Sequence, residues 1–143
     1  MNLKESIPSL FINLQSIYRK NLKIKNLTFP QILILYILPD GGEKLSKISD
    51  KIGVDISTMS RSIKVLEEKN YVKRDYLEKD KRVMWITFQP KGKKVKVEIE
   101  NKFDNINKII ENRLNKRELY KIEQDLHELN WIILGIIAKN FDV

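Results

Sequence analysis

Ser57, Thr58, Ser60, Arg61 and Lys64 fall within eight positions of one another, interleaved with Met59, Ile63 and Leu66. The apolar members recur at i, i+4 and i+7. That spacing turns one helical face inward and leaves the hydroxyls and cations on the outer and N-terminal surface. Short hydroxyl side chains can approach a base edge or a phosphate closely. An arginine one turn further on can grip a guanine O6/N7 edge with two hydrogen bonds, or clasp a phosphate. Asp55 stands where a helix N-cap belongs, so a helix is expected from there to about Lys69. Ahead of it, Leu45, Ile48 and Ile52 mark a shorter helix over about 46–52. Gly53 between the two supplies the positive φ of a tight turn. Two short helices joined in this way can set the start of the second one into a DNA major groove.

A second chemical cluster follows. Residues 71–76 and 83–88 are rich in β-branched and aromatic types and read as two strands. The polar loop between them carries Lys79, Asp80, Lys81 and Arg82, and Arg74 adds a cation on the first strand. A basic hairpin can place an arginine in the minor groove, where negative potential is focused. Asp80 has the wrong sign for DNA, and its expected role is to brace a neighbouring arginine. Residues 44–94 hold 14 Lys/Arg against 7 Asp/Glu, a net charge of +7 out of +8 for the chain. A charge gathered on one segment, rather than spread as a soluble surface would be, favours a duplex-DNA partner.

Other function classes lose support from the same composition. The chain has no cysteine and a single histidine, His127, so disulfides, thiolate zinc sites and histidine metal clusters are excluded, and no cofactor is expected. There is no glycine-rich phosphate loop and no nucleophile beside a base, so no enzyme is expected. No apolar run approaches the ~20 residues of a membrane span, and MNLKESIPSLFINL lacks the pattern of a signal peptide. A soluble cytoplasmic protein without a membrane partner is the expectation. Two rivals use the same charge: a sequence-neutral architectural DNA binder, and a winged-helix module that binds another protein.

The elements that must position the two clusters are helical. Leu3, Ile7, Leu10, Leu14 and Ile17 predict a first helix over about 6–23, with Ser6 as N-cap and Pro8 in the first turn. Thr28-Phe29-Pro30-Gln31 matches a capping box that opens a second, almost wholly apolar helix, and Pro39-Asp40-Gly41-Gly42 stops it. Val95, Ile99, Phe103, Ile106 and Ile110 predict a long helix over about 91–114. In the last helix, Leu119, Ile122, Leu126, Leu129, Ile133 and Ile136 step by three and four, a heptad seam. With Leu10 and Leu14 this is more apolar stripe than a small reading head can cover, and a symmetric dimer would bury the surplus. The expected organisation is an N-terminal dimerisation helix over 1–27, a DNA-binding domain over 28–90 and C-terminal dimerisation helices over 91–143.

The string Ser57-Thr58-Met59-Ser60-Arg61, then Leu66-Glu67-Glu68-Lys69-Asn70-Tyr71-Val72-Lys73-Arg74, Asp80-Lys81-Arg82-Val83, Ile86-Thr87-Phe88 and Lys91-Gly92, resembles the MarR family of winged helix-turn-helix regulators. The resemblance covers nearly the whole chain. It implies a mainly α fold with a small β-hairpin wing, the reading head sitting on an intertwined helical dimerisation body. It implies a homodimer that binds a pseudo-palindromic operator on double-stranded DNA as a transcriptional regulator, in the usual case a repressor, and that is released by a small aromatic or phenolic ligand. Arg82 then corresponds to the wing arginine and Asp80 to its brace. Tyr18, Tyr36 and Trp85 are the aromatics expected near a ligand cleft between head and body. Asn70 departs from the family's usual glycine, and asparagine tolerates the same backbone state. The lack of cysteine sets the chain apart from the family's peroxide-sensing branch.

Overall fold

The computed structural model describes residues 1–77 and 79–139, and of Leu77, Asp80 and Lys81 the backbone alone. The chain forms two compact units, Met1–Asp104 and Asn105–Val143. In the first unit α1 spans Leu3–Asn21, α2 Phe29–Ile37, β1 Glu43–Lys44, α3 Leu45–Ile52, α4 Ile56–Glu68, β2 Val72–Leu77 and β3 Asp80–Phe88. Helix α5, Pro90–Glu111, begins in the first unit and ends in the second, and α6 covers Lys116–Ala138.

Local sequence explains most element ends. Thr28 and Gln31 form the reciprocal capping box of α2, with Pro30 near its start. Gly53 closes α3 at φ +80. Asp55 caps α4 by accepting from the Thr58 backbone N–H. Asn70 adopts φ +63. Around it the Tyr71 N–H donates to the Leu66 carbonyl and the Asn70 N–H to the Glu67 carbonyl, both at 2.9 Å. That pair of bonds is a Schellman stop, which satisfies the last carbonyls of α4. The first helix differs from its expected form. It starts three residues early, capped by Asn2 rather than Ser6, and the Ser6 hydroxyl donates to the Asn2 carbonyl instead. Pro8 therefore lies in the second turn, where its missing N–H deprives the Lys4 carbonyl of a helical partner.

The core of the first unit draws on every one of its helices but α1, and on the sheet. Ile32, Leu35 and Leu38, Ile48 of α3, the Met59–Ile63–Leu66 stripe of α4, Val72 and Ile86 of the sheet, and Ile99 of α5 are all essentially inaccessible to solvent. Burying a side chain of this size is worth about 1.5–3 kcal/mol, so the head has its own hydrophobic anchor. The sheet has the order β1-β3-β2 and is antiparallel throughout. Strand β1 is too short for periodicity to reveal; it exists because Glu43 and Lys44 pair with Ile86 and Trp85. The hairpin is longer than expected: Leu77 pairs with Asp80, so most of the anticipated 77–82 loop is strand. The register shifts between Tyr76, opposite Met84, and Leu77, opposite Asp80. Lys81, Arg82 and Val83 occupy that bulge. Extra residues on one strand bend and twist a ribbon locally.

In the second unit α6 starts with a capping box between Asn115 and Glu118 and has no buried residue. Leu126, Ile133 and Ile136 of the predicted seam are exposed, and so are Trp131, Ile132, Leu134 and Ile137 on its other faces. The apolar surface of α6 is therefore wider than a heptad seam. Helix α1 likewise buries nothing fully, and Leu3, Leu10, Phe11 and Ile12 are exposed.

Candidate nucleic-acid interface

Helix α3, the turn and α4 are held at a fixed angle by a side chain that periodicity does not single out. Ser49 is buried, and its hydroxyl donates to the Val54 carbonyl across the turn. The Gly53 N–H donates to the Ser49 carbonyl at 2.9 Å. With Met59, Ile63 and Leu66 facing the core, the outer face of α4 presents Ser57, Arg61 and Lys64 to solvent, with Thr58 and Ser60 half-buried at its edges.

The start of α4 carries a chain of hydrogen bonds. Thr58 donates its backbone N–H to Asp55 Oδ1 at 2.8 Å and its hydroxyl to Asp55 Oδ2 at 2.9 Å. Thr58 Oγ1 in turn accepts from Arg61 Nη2 at 3.3 Å. The backbone N–H and then the hydroxyl of Thr58 hold the Asp55 carboxyl below its ordinary range, and Arg61 pulls in the same direction. Asp55 is therefore an anion at neutral pH, at the mouth of a helix whose outer face presents Arg61 and Lys64.

The wing is tied to α4 and to the turn after α2. Glu67 accepts the Arg74 backbone N–H at 3.0 Å and the Nε–H at 3.1 Å, and Arg74 Nη2 forms an ion pair with Glu67 Oε1 at 3.0 Å. Those bonds hold the Glu67 carboxyl below its usual range. Arg74, one of the cations expected on DNA, thus spends its guanidinium on α4. At the wing base Trp85 Nε1 donates to the Gly41 carbonyl at 3.2 Å. Gly42 lies beneath that ring at φ +85, where a Cβ would sit 2.5 Å from the Ile86 carbonyl oxygen. At the tip Lys79 and Arg82 are exposed. The side chains of Asp80 and Lys81 fall outside the described residues, so the expected brace does too.

Other groups stand away from this surface or extend it. On the outer face of α3, Lys47 and Lys51 lie one turn apart and are both exposed. They are cations that the sequence reading passed over, although their i, i+4 spacing was visible. Tyr18 and Tyr36 converge on Phe103 of α5, with ring centroids 5.1 and 4.4 Å from it. Burial first, and Tyr36 second, raise the Tyr18 phenol above its ordinary value. Trp85 belongs to a different cluster, the wing base. An apolar groove of about 470 Å³ runs between α1, α2 and the helix-turn-helix corner, lined by Phe11, Leu14, Tyr18, Phe29, Leu33 and Val54. At its edge the Arg19 guanidinium lies 4.6 Å from the centre of the Phe29 ring. His127 is exposed on α6. Among the described residues no group of three or more His, Cys, Asp or Glu side chains could hold a metal ion, and no helix is long and apolar enough to cross a membrane.

Three helices closing on a core, with a hairpin beside the last of them, define a winged helix-turn-helix. The MarR family pattern matches residues 27–84. The chain is 30% identical over 129 residues to the HTH-type transcriptional regulator SarZ of Staphylococcus epidermidis, covering 87% of this chain and 79% of SarZ. It is 32% identical over 111 residues to the HTH-type transcriptional regulator MgrA of Staphylococcus aureus, covering 73% of this chain and 76% of MgrA. FabT of Streptococcus pneumoniae, solved in complex with DNA, shares the fold at a TM-score of 0.79 and 20% identity, over 94% of this chain and 96% of FabT. The chain belongs to the MarR family of transcriptional regulators, which are not enzymes.

Proposed function

We propose that this protein is a homodimeric, sequence-specific reader of duplex DNA, working in the cytoplasm as a repressor. The observation that carries the reading is the exposed outer face of α4, where Ser57, Arg61 and Lys64 stand clear of the core that Met59, Ile63 and Leu66 complete. Such a face fits the major groove, while the hairpin tip with Lys79 and Arg82 fits the flanking minor groove. FabT, with the same fold, has been solved on DNA. The exposed apolar side chains of α1, and separately those of α6, serve dimerisation, since a monomer rarely leaves so many large side chains in water. Two heads then read half-sites about one helical turn, ~34 Å, apart. A dimer seated on a promoter excludes other proteins from it, which is repression.

The groove between α1 and α2 is the place for an effector. Tyr18 and Phe11 offer ring contacts and Arg19 a cation at its edge, a set suited to a small anionic aromatic or phenolic molecule. Bound there, the ligand shifts the protein only by its differential affinity for two arrangements of the dimer.

The test is selection of binding sites from a duplex library with a random core of about 20 base pairs, enough for two half-sites. Enrichment of an inverted repeat, bound by a dimer, is expected. Binding without enrichment of any sequence would make the protein an architectural binder and refute the proposal.

A further inference from the structure

Arg61 is the long side chain best placed on α4 to read a base, and long exposed side chains normally sample many rotamers. Here Thr58 restrains it. A hydroxyl has one proton, and an ionised carboxylate can only accept. The Thr58 proton therefore points at Asp55 Oδ2, 2.9 Å away. The Thr58 oxygen is left with its lone pairs, and Arg61 Nη2 donates to it from 3.3 Å. One of the five guanidinium N–H groups is used in this way and the rest remain for a partner. Ordering the side chain before binding lowers the entropic cost of a bidentate contact. The same Asp55 is exposed and anionic. A phosphate backbone repels it whatever the base sequence.

Resting on the reading of α4 as the DNA-reading helix, we propose that Asp55 is a specificity-determining positioning residue. Through the Thr58 hydroxyl it sets the Arg61 guanidinium for a base edge, and its charge adds a repulsion from the phosphates that does not depend on sequence. The two effects have opposite consequences. The first strengthens binding to the preferred sequence alone, and the second lowers affinity for every duplex.

Asp55→Asn separates this role from capping. Asparagine is as good an N-cap as aspartate, so Oδ1 still accepts from the Thr58 backbone N–H. The second carboxylate oxygen becomes an amide NH2, which cannot accept the Thr58 hydroxyl proton. The probes are the duplex selected by the wild-type protein from the random library and a scrambled duplex of the same composition. Their dissociation constants are measured by fluorescence anisotropy at one fixed salt concentration. The ratio of the two constants should fall about fivefold or more in Asp55→Asn, the low end of one bidentate contact. The scrambled duplex should bind as tightly as to wild type or more tightly. In an Arg61→Ala background, Asp55→Asn should leave the ratio unchanged. A melting temperature like that of the wild type shows the cap to be intact. An unchanged ratio in Asp55→Asn, or an equal fall with Arg61 already removed, overturns the positioning role and leaves the DNA-binding reading standing. A wild-type protein that does not distinguish the two duplexes removes both.

Discussion

Replacing Glu67 with glutamine tests the link between the reading helix and the wing. The glutamine side chain would keep one carbonyl oxygen for the Arg74 backbone N–H but would turn an NH2 toward a guanidinium that has only donors. The native pair has two hydrogen bonds, at 3.0 and 3.1 Å, and an ion-pair contact at 3.0 Å. Hydrogen bonds to a charged partner contribute about 1.5–3 kcal/mol when dry. The side chains of Arg74 and Glu67 are 28% and 34% exposed, so water screens part of that. Fully exposed pairs are worth about 0.2–1 kcal/mol. The cost of Glu67→Gln should lie between these limits, about 1–2 kcal/mol, which lowers the melting temperature by roughly 3–6 °C in a chain of this length. The pH dependence has a definite sign. Arg74 depresses the folded-state pKa of Glu67. Its stabilisation is therefore present above the unfolded carboxylate value and is lost as pH falls through the folded one. The gap between wild type and Glu67→Gln should be widest near neutral pH and should shrink as pH falls below the ordinary carboxylate range. The assay is thermal denaturation across that range at one fixed protein concentration, because a dimer's melting point depends on concentration. Arg74→Ala should cost a similar amount, and the double variant should fall well short of the sum. Full additivity, or a gap that does not change with pH, would refute the pairing as the role of Arg74. A salt slope of DNA binding reduced by about one per head in Arg74→Ala alone would make Arg74 a phosphate contact instead.

Three further sites give expectations of their own. Leu126 is half-exposed in the isolated chain; Leu126→Glu should abolish the dimer at several kcal/mol of association free energy if α6 is the interface, and sedimentation showing an intact dimer would exclude α6. Lys51→Gln on α3 should weaken selected and scrambled duplexes alike and reduce the salt slope by about one per head; an unchanged slope would place Lys51 off the backbone. A Cβ at Gly92 would lie 1.9 Å from the Tyr71 carbonyl oxygen, so Gly92→Ala should destabilise by about 3 kcal/mol or more. Gly41→Ala, which has nothing within 4 Å of its Cβ, is the control, and calorimetry showing equal melting of both variants would contradict the close approach of α5 to the Tyr71 backbone.

Features that depend on neighbours a few residues apart were legible in the chain before any fold was known. The buried stripe of α4, the caps at Thr28 and Asp55, the left-handed stops at Gly53 and Asn70 and the basic head are short-range consequences of helical period and capping chemistry. Of the Asp55–Thr58–Arg61 chain only the cap at Asp55 was legible; each i, i+3 step sets neighbours side by side on a helix, but which of them bond, and in which direction, needed atomic positions. Contacts between residues far apart in the chain came only with folding. Arg74 became a partner of Glu67 only after the Asn70 turn folded β2 back along α4. Trp85 was assigned to the wing base only when Gly41, 44 positions away, met its indole N–H. Strand β1 exists only because β3 offers it an edge. Lys96, a helix surface residue by pattern, turns its ammonium onto the Leu38 carbonyl at the end of α2, 58 positions earlier. A cation on a helix surface reads the same in sequence whether it will meet solvent, a carbonyl or a carboxylate. The choice is made by which free polar groups packing brings within about 3 Å, and buried ones must find a partner.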